Sequence, residues 1–275
     1  MKTSVIILVL AIVFAFTPKK DSNHLDKINS YWQSPRPKIV LLDYFFNNEW
    51  KKDSSGKSQR FHYTWEDKAN SGFYQLGEVF KKYGMEPKSL QKAPTKKNLK
   101  DASVYIIVDP DTDKETEHPN YITQKDADAI VKWVKKGGVL LLMGNDSMNA
   151  NLKSLNVLST RFGIRFNEDL FNPVQGKQWE QAAVMVPPGH AIFTSPKKLY
   201  LKEVSTLQVQ SPATTILSKD GKNIMAIAKY GRGTVFAVGD PWIYNEYIDN
   251  HILSADFENG KGADDLVRWI AAQAK

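Results

Sequence analysis

Three short apolar runs, each giving way to acidic residues, constrain this chain more than any other feature. They are Lys38–Asp43 (KIVLLD), Ser103–Val108 followed by Asp109-Pro110, and Val139–Met143 followed by Gly-Asn-Asp. Runs this short and this continuous suit strands covered on both faces, as in a parallel sheet, because a half-exposed strand would alternate apolar and polar residues. Helical periodicity lies between them. Gly72 to Tyr83 places Phe73, Leu76, Val79 and Phe80 on one stripe and stops at Gly84. Thr123 reads as a helix N-cap with Asp126 at the capping-box position. The stripe Ala129, Ile130, Trp133 and Val134 follows and ends at Gly137-Gly138. Strand, helix and strand joined by short links imply right-handed crossovers and an α/β architecture with helices on both faces of the sheet.

Beyond the third run, Leu152, Leu155, Leu158 and Phe162 predict a helix over Met148–Phe162, ended by Gly163. Residues 164–210 carry Pro173, Pro187, Pro188 and Pro196 and read as a β-rich insertion of short strands and loops. Ile224–Ala228 and Thr234–Val238 flank Lys229-Tyr-Gly-Arg-Gly233, a hairpin with glycines at its turn. Leu266, Val267, Trp269 and Ile270 make Ala263–Ala274 an amphipathic helix. At 275 residues the chain has room for one folded domain, assigned to 38–275.

The N-terminus speaks to compartment. Lys2 followed by the apolar run Val5–Phe16 has the order of a signal peptide (1–16), with an uncleaved anchor as the alternative. Residues 17–37 read as a linker. The expectation is a periplasmic or secreted protein with no stable membrane span after cleavage. The chain has no cysteine, which removes disulfides, thiolate nucleophiles, cysteine-ligated metal centres and a lipid-attachment cysteine. Its net charge of +7 is dispersed in short pairs, so no nucleic-acid stripe is expected.

Four strand exits carry acids: Asp43, Asp109, Asn145-Asp146 and Asp240. In a parallel sheet the carboxyl ends of strands share one edge, where ligands bind, so these acids are expected to converge; capping of the turns that follow is the alternative for each. The loop after the first strand adds Tyr44, Asn47, Glu49, His62 and Trp65, and the last strand is followed by Trp242, Asn245 and Glu246. Aromatic faces beside amides and carboxylates suit sugar rings, which present CH faces and hydroxyl rims. Anchoring of the loops is the structural alternative. For catalysis, Asp43, Asp109, Asp146, Asp240 and His62 are the candidates. Ser147 lacks the Gly-x-Ser-x-Gly elbow, and His190 reads as a loop residue. The Asp109-x-Asp111-x-Asp113-x-Glu115 series lacks the glycine and distal glutamate of an EF-hand, so no metal or cofactor is assigned.

The stretches LLDYFFNNEW, HYTWEDKANSGFYQLGEVF, YIIVDPDTDKETEHPNYI, WVKKGGVLLLMGNDSMN and YGRGTVFAVGDPWIYNEY resemble the glutamine-amidotransferase-like (DUF4350-type) domain that accompanies family 105 glycoside hydrolases, the unsaturated rhamnogalacturonyl hydrolases, of Bacteroidetes. The resemblance implies a flavodoxin-like, class I glutamine-amidotransferase-like sheet. It also implies a place in the degradation of pectin (rhamnogalacturonan) oligosaccharides. The hydrolase activity belongs to a separate helical barrel for which 275 residues leave no room. The amidotransferase nucleophile is a cysteine, and the matching place here is Asn145–Ser147, so glutaminase activity is not expected. The expectation is an exported accessory or carbohydrate-binding protein whose partner is an acidic plant oligosaccharide or a partner hydrolase. A glycoside hydrolase working through the edge carboxylates is the alternative.

Overall fold

The computed structural model describes residues 37–275; the segments expected to be a signal peptide (1–16) and, except for Pro37, a linker (17–37) lie outside the described residues. In chain order the strands and helices are β1 Lys38–Asp43, β2 Trp50–Lys52, β3 Ser58–Arg60, α1 Tyr74–Lys82, β4 Met85–Leu90, β5 Ala102–Val108, α2 Gln124–Lys135, β6 Val139–Met143 and α3 Leu152–Ser159. They continue as β7 Ile164–Phe166, β8 Ala183–Val186, β9 Lys197–Tyr200, β10 Leu207–Val209, β11 Ala213–Lys219, β12 Lys222–Tyr230, β13 Gly233–Val238, α4 Asn245–Ile248 and α5 Asn259–Gln273.

The central sheet runs β4-β1-β5-β6-β13-β12-β10-β7, with β11 also on β12. The five strands from β4 to β13 are mutually parallel, and the rest of the sheet is antiparallel. The predicted runs β1, β5 and β6 are adjacent at its centre. Their alternating side chains feed two cores. Val40, Leu42, Val104, Ile106 and Leu141 pack on one face with Phe80 of α1 and Leu266 of α5, while Leu41, Tyr105, Ile107 and Leu140 pack on the other with Ile130 of α2 and Leu155 of α3. A strand buried on both faces can afford no polar alternation, which is why the runs read as continuously apolar.

Local signals account for most boundaries. The Thr123 hydroxyl accepts from the Asp126 amide and the Asp126 carboxylate accepts from the Thr123 amide, closing the capping box of α2. The helix expected from Met148 begins only at Leu152, because Asp146 holds residues 148–149 in a turn and Asn151 caps the helix by accepting from the Ser154 amide. Strand β4, MEPKSL, was not expected: its polar, proline-containing sequence is tolerated because β4 is the outer strand of the sheet. The β-rich segment 164–210 divides. Its β7 and β10 complete the far side of the main sheet, and β8 pairs with β9 in a small sheet of its own.

Register decides what meets at the carboxyl edge. Val108, Met143 and Val238 are aligned across β5, β6 and β13. The residues that follow them, Asp109, Gly144-Asn145 and Gly239-Asp240, therefore leave the sheet side by side. The two glycines are required by close approach: a Cβ on Gly239 would lie 1.9 Å from the Ser205 carbonyl, and one on Gly144 would lie 2.8 Å from the Phe166 ring.

Candidate functional site

At the exit of β5 the chain turns sharply, with Asp109 in the left-handed region at φ 42°. Its amide donates to the Met143 carbonyl (2.9 Å) and its carbonyl accepts from Asn47 Nδ2 (3.1 Å), which hold the turn. The side chain is buried; Oδ2 accepts from Asn145 Nδ2 at 3.2 Å and Oδ1 has no protein partner. Burial, reinforced by the Glu115 charge, pushes its pKa up to about 8 against the opposing Asn145 hydrogen bond and His62. Asp109 is thus largely a neutral acid at pH 7.

The loop after β1 supplies the facing wall. Its β2–β3 hairpin leads into His62 and Tyr63, two successive left-handed residues at φ 63° and 49°. The His62 ring stacks on both neighbours, Phe61 (centroids 5.4 Å apart) and Tyr63 (4.3 Å), and its Nδ1 lies 2.7 Å from Glu49 Oε1. Burial disfavours the imidazolium, but the Glu49 hydrogen bond and charge outweigh it and raise the pKa. Tyr63 Oη sits 3.4 Å from both Tyr244 Oη and Asn145 Nδ2.

These groups enclose a cavity of about 200 Å³ that reaches the β6 exit at Asn145 and Asn149, the Lys202-Glu203 turn and the α4 residues Glu246 and Tyr247. Four carboxyl groups line it (Asp109, Glu115, Glu203, Glu246) against two basic groups, His62 and Lys202. Glu246 Oε2 is a second buried oxygen without a partner, and burial raises its pKa. Behind the wall, Asp240 accepts from the Lys202 amide (2.9 Å) and the Tyr244 hydroxyl (3.3 Å), and burial holds its pKa well above the usual carboxylate range. Of the seven non-glycine residues with left-handed backbone among those described, four line this cavity: His62, Tyr63, Asp109 and Glu203. Each costs about 1 kcal/mol or more, and such strain gathers where function requires it.

Convergence of the four edge acids holds for half of them. Asp109 lines the cavity and Asp240 supports it through Tyr244. Asp43 instead accepts from the Phe45 and Phe46 amides and the Tyr105 hydroxyl, and Asp146 from the Met148 amide and Asn149 Nδ2, so both act as turn caps. Burial still lifts Asp43 to about 6. Trp65 and Trp242, expected as sugar platforms, are core residues: Trp65 packs on Phe73 and Phe80, and Trp242 on Phe193 with no exposed surface. Their large apolar area is worth more inside than at a wet rim.

Other expected ligand groups hold loops. Asn245 accepts from the Gln75 amide and donates to the Asp67 and Ala69 carbonyls, and Tyr44 donates to Glu66 while accepting from the Trp65 amide. Asn47 and Glu49 brace Asp109 and His62 from behind; Asn145 and Glu246 line the cavity. Among the described residues, no group of three or more His, Cys, Asp or Glu is placed to hold a metal ion. Lys202 and Glu203 were missed because they come from the segment read as an insertion. Glu115 was marked only as the end of the Asp109-x-Asp111-x-Asp113-x-Glu115 series, whereas Tyr63 and Tyr247 lay in stretches already noted but nothing in their spacing marked them.

Residues 66–252, more than half of the chain, match the family described as a domain of unknown function, DUF4350. The chain belongs to the DUF4350 family. No curated protein matches it. Among solved structures, this DUF4350 protein is similar to the mmIFT52 N-terminal domain, at 18% identity and a TM-score of 0.63, covering 85% of this chain and 97% of that one. It is also similar to the cytoplasmic protein STM1381 from Salmonella typhimurium LT2, at 15% identity and a TM-score of 0.56, covering 86% and 100%. At these identities the likeness is one of fold. No helix among the described residues of the DUF4350 chain is long and apolar enough to cross a membrane.

Proposed function

We propose that this DUF4350 protein is an exported accessory protein that binds oligosaccharides released from pectin and seats one sugar unit in the carboxyl-edge cavity. The observation that carries the reading is the pair of buried, unpartnered carboxyl oxygens, Asp109 Oδ1 and Glu246 Oε2, in a cavity lined by tyrosine rings and held by strained backbone. Vicinal hydroxyls both donate and accept, so they can partner Glu246 Oε2 and a protonated Asp109 Oδ1 alike, and the rings offer faces for sugar CH groups. The volume suits one monosaccharide, and four lining carboxyl groups disfavour a uronate there, so a neutral unit such as the deoxyhexose of rhamnogalacturonan is the ligand of choice.

The pectin context and the glutamine-amidotransferase-like, hydrolase-associated ancestry rest on the sequence resemblance; a partner hydrolase belongs to the same reading. The parallel-strand order second, first, third, fourth, fifth supports the flavodoxin-like part of it and puts the crevice beside β1 and β5. Isothermal titration with neutral and uronate-containing mono- and disaccharides tests the proposal. Binding lost in both Asp109→Ala and Glu246→Ala supports it; heat with none of the ligands overturns it.

A hydrolase is the second reading, favoured by one observation: Asp109, with a pKa of about 8, is a carboxylic acid still protonated at neutral pH and beside a cavity, as a general acid for glycoside cleavage must be. Product from a glycan panel that vanishes in Asp109→Asn, with the fold intact, would establish it.

A further inference from the structure

A cleft of about 550 Å³ lies between the β2–β3 hairpin and the 64–68 segment and shares no lining residue with the carboxyl-edge cavity. Trp50 and Arg60 face each other across the hairpin. The Arg60 guanidinium carbon lies 5.0 Å from the Trp50 ring centroid and 5.3 Å from that of Tyr44, the residue after β1. Arg60 Nη1 donates to the Asn47 carbonyl at 3.4 Å, which leaves most of the guanidinium N–H donors open. Lys51 and Lys68 line the same cleft, each with its ammonium 4.6 Å from a ring centroid, of Phe61 and Tyr74 respectively. Among the described residues, none of these three cations makes an ion pair. The two lining acids are engaged by neutral donors: Glu66 Oε2 accepts from the Tyr44 hydroxyl (2.6 Å), and Asp67 accepts from the His62 and Ala69 amides. Stapling of the hairpin accounts for the Tyr44–Arg60 contact, because two three-residue strands are barely stable alone. It does not account for Trp50, which stays 54% exposed although Arg60 lies over its ring, or for Lys68 on a separate segment.

We infer that this cleft binds a flat aromatic carboxylate. A guanidinium oriented by two rings presents a planar fork that meets a carboxylate at two points. Three cations against two acids leave the lining with one net positive charge, which suits a monoanion and not a phosphate dianion. The exposed Trp50 indole gives an aromatic ring a stacking partner beside that fork, and the guanidinium already shows that flat groups pack on it. The inference goes beyond the carboxyl-edge cavity and does not depend on it.

The test is titration calorimetry of the full chain with naphthoate, naphthamide, naphthyl phosphate and galacturonate. Naphthoate should bind tightest, and the amide, which lacks the charge, should bind about tenfold more weakly or worse. Arg60→Lys keeps the positive charge and loses the fork, while Trp50→Ala loses the stacking surface. Each should weaken naphthoate about tenfold, with a thermal scan checking that the variants remain folded. In the wild-type protein, naphthoate should also shift the Trp50 indole N–H resonance, a readout that needs no variant. No naphthoate binding, equal or tighter binding of any other probe, undiminished binding by the folded variants, or an unmoved Trp50 resonance would each overturn the inference. Asp109→Ala should leave naphthoate binding unchanged, so neutral-sugar binding at the carboxyl edge stands or falls separately.

Discussion

Asn145 Nδ2 donates to Asp109 Oδ2 at 3.2 Å and leaves Asp109 Oδ1 at the cavity wall with no protein partner. The amide satisfies half of a carboxyl group that burial keeps largely protonated, so the other half remains available to a ligand. The contact joins two strand exits, β5 and β6, whose last residues are in register.

Stability should depend on this group. An Asp whose folded pKa of about 8 exceeds its ordinary value of 3.8 binds a proton on folding between those values, so its contribution to stability is full below about pH 4 and is lost as pH rises toward 8. Asp43, raised to about 6, and Asp111, raised to about 7, act in the same direction. Thermal unfolding should therefore show the melting temperature dropping from pH 5 to pH 8. Asp109→Asn should flatten that slope and stabilise the fold at pH 8, by on the order of a few kcal/mol.

Glu49 Oε1 lies 2.7 Å from His62 Nδ1 and favours the protonated ring against its burial. Glu49→Gln removes the charge that outweighs burial, so the His62 pKa should fall. A histidine titration followed by NMR reads this directly, and an unmoved or raised value would refute the pairing.

Trp242 and Trp50 make a contrast that separates core from surface. Trp242 has no exposed surface, and Trp242→Ala should cost about 3–5 kcal/mol through the space it vacates. Trp50 is 54% exposed, and Trp50→Ala should change stability by no more than about 0.5 kcal/mol. Denaturant midpoints measure both.

Gly239 admits no side chain, because a Cβ would meet the Ser205 carbonyl at 1.9 Å. Gly239→Ala should destabilise by about 3 kcal/mol or more by forcing β13 and the 204–206 segment apart. Chemical denaturation would detect it. A neutral result would mean that the exit of β13 is free to shift.

The sequence by itself determined the parallel centre of the sheet, its helix faces and the acids at its edge. Continuous apolar runs, helical stripes and the Thr123–Asp126 capping box are local patterns that residue chemistry makes readable. Only tertiary structure decided which acids meet. Asp43 and Asp109 both end strands, yet the nearby Phe45 and Phe46 amides claim Asp43, while the left-handed turn at Asp109 aims its carboxyl group into the cavity. Trp65 and Trp242 looked like ligand platforms because aromatic residues in a loop read alike whether they face water or the core. Lys202 and Glu203 are far in sequence from His62 and Asp109, and only the fold of the 164–210 segment brings them to the same cavity. Strand ends are written in short-range pattern; a site is a long-range coincidence of backbone turns, and its physical cause is the register that aligns Val108, Met143 and Val238.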